Sequence, residues 1–189
     1  MKSRPSPGER QAARRDRREA IDDPAVVTDA AARFLAVRPR SVAETRRRLR
    51  DLGYRHDLVD RSVQQLADLG YLDDAAFARA WIESRDRARP RGAVALRREL
   101  ALKGVDRSVI DEALGERGGA TAAEPGTPGT TADQAPDVGA AARLLERRLP
   151  ALFRETDPRR RRQKAYALLA RNGFDPDTCR EVAATVPAD

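Results

Sequence analysis

The chain has 189 residues, with 37 Lys and Arg against 30 Asp and Glu, one His, one Cys and 4% aromatic side chains. A single cysteine excludes a disulfide framework, a thiolate zinc site and an iron–sulfur cluster, and a single histidine, His56, excludes a His-rich metal site or a Ser-His-Asp triad in one copy of the chain. No stretch approaches the roughly 18 apolar residues of a membrane span, and the basic N-terminus lacks the apolar core of a secretory signal, so a cytoplasmic protein is expected.

Residues 1–27 are polar, Pro-bearing and aperiodic, and the first twenty carry seven basic and three acidic groups. That composition predicts a disordered basic arm. Residues 28–70 then read as a unit of three helices. Thr28 is placed to cap the first, which runs to about Val37 before Pro39 stops it. Ser41 with Glu44 forms an S-x-x-E capping box that opens the second, ending near Arg50. Gly53 follows, where a left-handed residue closes a helix most easily. The third, about residues 57–69, sets Val59, Val63, Leu66 and Leu69 on one face.

The pattern returns in residues 71–116. Asp73 is placed to cap a helix with Phe77, Ala80, Trp81 and Ser84 on a stripe; Ala93, Leu96 and Leu100 lead a second helix to Gly104; and Asp106 opens a third with Val109, Ile110, Ala113 and Leu114. Residues 117–138 hold Gly, Pro, Thr and Ala with little apolar bulk, which predicts a flexible linker. A third unit occupies residues 139–189. Ala141, Leu144, Leu145 and Leu152 mark its first helix, Ala165, Tyr166 and Leu169 its second, and Asp175-Pro176 opens its third as N-cap and N1.

Self-similarity supports this division. Leu49-x3-Gly53, Leu100-x3-Gly104 and Leu169-x3-Gly173 each close a second helix, followed by Tyr54, Val105 and Phe174. Six residues beyond each glycine stand Val59, Ile110 and Cys179, which makes Cys179 a buried small hydrophobe. The expected fold is all-α, a tandem array of three three-helix repeats, elongated and curved.

Basic residues bunch on the second helix of each repeat. Arginine pairs two oxygens of a carboxylate or phosphate at once, so a recurring cluster suits an elongated anionic partner; the alternative at each position is a solvated helix face. The residues expected to meet a partner are Arg46, Arg47, Arg50, Arg91, Arg97, Arg98, Lys103, Arg159, Arg160, Arg162, Lys164 and Arg171. Few aromatics interleave with them, which argues against base-stacking readout. Asp73-Asp74 reads as a cap with its first-turn partner rather than an acid–base pair. No nucleophile–base pairing, metal constellation or cofactor fingerprint is present, so neither enzyme activity nor a cofactor is expected.

The stretch Leu69-Gly70-Tyr71-Leu72-Asp73-Asp74-x2-Phe77-Ala78-x2-Trp81, followed by Gly92-x3-Leu96-x2-Glu99-Leu100-x2-Lys103-Gly104-Val105, resembles the RecX family, regulators of the bacterial RecA recombinase. Leu169-x-Arg171-x-Gly173-Phe174 is similar to the family's C-terminal repeat. The resemblance covers about residues 28–116 and 139–186. It implies a protein that lodges in the groove of the RecA–single-stranded-DNA filament, alters its growth and stability, and inhibits strand exchange and the coupled ATP hydrolysis. Double-stranded DNA is a further expected partner, and a monomer is expected because a solenoid that wraps a filament gains nothing from self-pairing. A helical protein that coats DNA without RecA is the rival expectation.

Overall fold

In a computed structural model the described residues are 6–117 and 134–187, and among them eleven helices form and no strand does. In chain order these are α1 (Pro7–Glu19), α2 (Pro24–Leu35), α3 (Val42–Asp51), α4 (His56–Asp68), α5 (Asp74–Ala88), α6 (Ala93–Leu102), α7 (Arg107–Glu116), α8 (Gln134–Glu146), α9 (Leu149–Leu152), α10 (Pro158–Arg171) and α11 (Pro176–Ala184). Packing groups them into two units. The first takes the chain up to Phe77 together with Lys103–Val105; the second takes Ala78–Leu102 and the chain from Asp106 onward.

In the first unit α2, α3 and α4 enclose Val27, Ala31, Leu49, Tyr54, Leu58, Val59, Val63 and Leu66. The capping box at Ser41 is present, with Glu44 N–H donating to Ser41 Oγ at 3.0 Å. α2 begins four residues before Thr28: Asp23 accepts from Ala25 N at 2.9 Å, and Pro24 holds the φ of the first turn, so Asp23 is the cap. Leu69 is the C-cap of α4 and lies exposed, because the helix ends before its stripe returns to that side.

The arm read as disordered contains a helix. Ser6 and Glu9 form a second capping box, which opens α1. α1 buries no residue of its own; Arg18 Nη1 donates to Leu52 O at 3.2 Å and its guanidinium lies 5.8 Å from the centre of the Tyr54 ring. A capping box and the long-range contacts of Arg18 supplied what average composition did not reveal.

Lys103–Val105 belongs to this first unit because the turn sits on the N-terminus of α3. Ser41 Oγ donates to Lys103 O at 2.6 Å, Val42 N donates to Asp74 Oδ1 at 2.9 Å, and a Cβ added at Gly104 would stand 2.4 Å from the Ala43 methyl. Gly104 has φ +78°, so both its conformation and its neighbour demand glycine.

The second unit repeats the arrangement one step along. Gly92 N donates to Asn172 O at 3.1 Å, Ala93 N donates to Asp137 Oδ2 at 2.9 Å, and Gly173, at φ +81°, leaves a hypothetical Cβ 2.4 Å from the Ala95 methyl. Here Ala140, Ala141, Leu144, Leu145, Leu152, Ala165, Leu169, Phe174, Cys179, Val182, Ala183 and Val186 form a core between α8, α10 and α11. Burial pushes the Cys179 thiol up to about 11, so it stays protonated, as its expected hydrophobic role requires.

Three further expectations are corrected. On α5 the buried positions are Phe77, Ala78 and Ile82, while Ala80 and Ser84 are exposed; Trp81 is half-buried at the edge, where its indole donates to Glu99 at 2.9 Å. The first helix of the last repeat breaks into α8 and α9 ahead of Pro150. The predicted linker is shorter than 117–138: Arg117 caps α7 and α8 starts at Gln134, while residues 118–133 lie outside the described residues.

Candidate anion-binding interface

The twelve expected contact residues separate by what their side chains already hold. Arg46 and Arg97 stand seven residues before Gly53 and Gly104, on α3 and α6. Arg46 Nε donates to Asp60 at 2.9 Å and Arg97 Nε to Asp111 at 2.9 Å, each tying the second helix of its repeat to the third. Arg50 adds a second guanidinium to Asp60 at 3.1 Å. Arg97 holds the Asp111 carboxyl below the usual aspartate range, with burial opposing and Arg107 helping. These three arginines are structural ties with part of their charge neutralised.

Lys103 is a stronger case of the same kind. Its ammonium lies 3.0 Å from Glu44, with side-chain exposures of 17% and 16%. Burial would raise the Glu44 carboxyl, but Lys103 and the Ser41 amide together hold it below its ordinary value. Arg91 donates to Asn172 Oδ1 at 2.8 Å and lies 3.6 Å from Glu99. In the last repeat Lys164 pairs with Glu155 at 2.6 Å, and Arg160 approaches Asp157 at 3.7 Å.

Five of the twelve remain open. Arg47, Arg98, Arg159, Arg162 and Arg171 are exposed, and their side chains make no hydrogen bond or ion pair among the described residues. Arg47 and Arg98 each stand six residues before their glycine, one position beyond the arginine that bridges. Neighbours on a helix point about 100° apart, so one of each Arg-Arg pair turns to the third helix and the other to solvent. In the run 159–162, Arg161 is buried: it donates to Glu155 O at 3.0 Å and Pro187 O at 2.8 Å, over the Phe153 ring.

Sequence reasoning missed four charged residues of the second unit. Arg117 and Asp137, which fall within the expected linker, form a buried pair, and Arg143 and Arg147 line a cleft of about 660 Å³ together with Ile82 and Ala113. The one signal available for Asp137 was its likeness to Asp74: each is an acid near the start of a repeat's first helix. Among the described residues no group of His, Cys, Asp or Glu is placed to hold a metal ion, and no helix is long and apolar enough to cross a membrane.

Comparison with known proteins accounts for this architecture. Models of the first, second and third three-helix domains of RecX match residues 29–66, 73–114 and 137–183. The regulatory protein RecX of Prosthecochloris aestuarii is 32% identical over 149 residues, covering 78% of this chain and 85% of the relative. That of Mycobacterium tuberculosis is 32% identical over 161 residues, covering 83% and 84%. The crystal structure of RecX from Lactobacillus salivarius has the same fold, with a TM-score of 0.70 at 19% identity over 87% of this chain and 97% of that one. With three domain models in order and relatives matched over most of their length, the chain belongs to the RecX family of regulatory proteins.

Proposed function

We propose that this chain regulates the RecA recombinase by binding the RecA–single-stranded-DNA filament through its open arginines, inhibiting strand exchange and the coupled ATP hydrolysis. The observation that carries the reading is the division of each Arg-Arg pair. Arg46 and Arg97 are held by Asp60 and Asp111, while Arg47 and Arg98, at one repeat position, are exposed without a partner. A solvated surface has no need to keep an unpaired guanidinium at the same place in successive repeats, whereas a partner that repeats along its own axis does. Arg159, Arg162 and Arg171 extend the set into the third repeat, and summed modest contacts give multivalent, salt-sensitive binding.

The mechanism is steric and electrostatic. A helical protein seated on the filament obstructs incoming duplex and the addition of RecA subunits, and its arginines pair with phosphates or with carboxylates of the filament surface. No step needs a cofactor.

The experiment is to titrate the protein into RecA assembled on single-stranded DNA while following ATP hydrolysis and strand exchange. Both should fall near stoichiometric ratios, and Arg47→Glu with Arg98→Glu should weaken the effect at least tenfold. Unchanged hydrolysis and strand exchange at stoichiometric ratios would overturn the reading. Equal affinity for naked single- or double-stranded DNA would replace it with a DNA-coating protein that acts without RecA.

A further inference from the structure

We propose that Arg117 and Asp137 are positioning residues that lock the third three-helix domain onto the second, so that the two stay together without the chain that connects them. The proposal concerns the protein alone and does not depend on its partner.

Arg117 is the last described residue before the connecting stretch, and its side chain is only 4% exposed. Its guanidinium reaches three segments at once. Nε and Nη2 donate to the two carboxylate oxygens of Asp86 on α5 at 2.9 and 2.6 Å, a bidentate pair. Nη2 also donates to Arg91 O at 2.9 Å, in the loop that enters α6. Nη1 donates to Asp137 Oδ1 on α8 at 2.5 Å. The other oxygen of Asp137 accepts from Ala93 N, the first amide of α6, at 2.9 Å. Asp137 therefore spends both oxygens on the second domain, and Arg117 binds both domains through one planar group.

The remaining contacts at this place are directional too. Gly92 N donates to Asn172 O and Arg91 donates to the Asn172 side chain, while Arg147, in the turn just after α8, donates from Nη1 and Nη2 to the carbonyls of Ala88 and Arg87, both at 2.9 Å. Together these contacts set both distance and orientation between α5–α6 and α8–α10. A buried charge stripped of its partner costs more than the pair itself supplies, so removing one member should open the joint rather than loosen it slightly.

A cleavage sequence for a specific protease, placed between residues 118 and 133 of the full chain, tests this. After cutting, the two pieces should co-elute at micromolar concentration with unchanged circular dichroism. Asp137→Ala removes the acceptors of both Arg117 and the α6 amide, and should weaken the association of the pieces at least tenfold. Arg117→Ala should weaken it at least a hundredfold, while the helix content of the uncut chain is retained. In the uncut chain, spin labels at Ser84 and Arg148 should report one narrow distance that broadens in both variants. Separation of the cut wild-type pieces, or association and label distances unchanged in Asp137→Ala, would overturn the proposal.

Discussion

The N-termini of α3 and α6 face the same task, receiving the glycine turn of the repeat that follows, and they meet it with different chemistry. Ser41 and Gly92 both stand twelve residues before their own repeat's glycine. At the first joint Ser41 reaches the Lys103 carbonyl through its hydroxyl; at the second the Gly92 amide reaches the Asn172 carbonyl directly. The space differs accordingly. A Cβ at Gly92 would lie 2.1 Å from Gly173 O, so main chain meets main chain where the first joint leaves room for a side chain. The ion pairs differ as well: Lys103–Glu44 keeps some contact with water, whereas Arg117–Asp137 has 4% exposure on both sides. A closer approach removes water, and removing water makes each partner harder to do without. The first joint is thus tolerant and the second brittle.

Arg117→Ala breaks this contrast most directly, since it strands the Asp86 and Asp137 carboxylates. Thermal or denaturant unfolding should show a loss of about 3–5 kcal/mol, the usual range for removing one member of a buried pair, whereas Lys103→Ala should cost well under half as much. Gly92→Ala should come next, about 1–3 kcal/mol from forced displacement of main chain. Ser41→Ala, at the matching position, should cost about 1 kcal/mol for one hydrogen bond.

A pH titration sharpens the comparison without mutation. Glu44 is held below its ordinary value, so its contribution is complete above the normal glutamate pKa of about 4.3 and disappears as pH falls through the lower folded value. Burial raises the Asp137 carboxyl, outweighing the Ala93 amide and Arg117, with Asp175 adding to the rise. Its sign is opposite: acid favours the folded form, and that advantage is lost as pH rises through the folded pKa. Amide exchange near Val42 should therefore accelerate in acid before exchange near Ala93 does. Reversal of that order would contradict the assignment.

The smallest effects belong to the paired surface arginines. Arg46→Ala and Arg97→Ala should each cost about 0–1 kcal/mol of stability, because their bridges are roughly 40% exposed and screened by water. Arg47→Ala and Arg98→Ala should leave unfolding unchanged, so that any loss of filament binding they cause is free of a folding contribution.

Much of the fold could be read before any coordinates. The Leu-x3-Gly spacing, the capping box at Ser41 and the Asp175-Pro176 start are local rules, and each appears where expected. The candidate interface was half legible. Composition located the arginines, but whether one is a tie or an open contact depends on an acid elsewhere in the chain, such as Asp60 for Arg46. Arg117 and Asp137 were obscured because the Gly- and Pro-rich stretch between them set the average for the whole window.

What the amino-acid order determined alone is therefore what short-range sterics and capping decide: three helical repeats, their glycine turns and the place of the second helices. Tertiary structure alone decided which cations are neutralised, that α1 meets the Gly53 turn, and that Gly92 must lie against Gly173. Those outcomes depend on groups far apart in the chain arriving within a few ångströms of each other. Such proximity leaves no periodic trace in a single sequence.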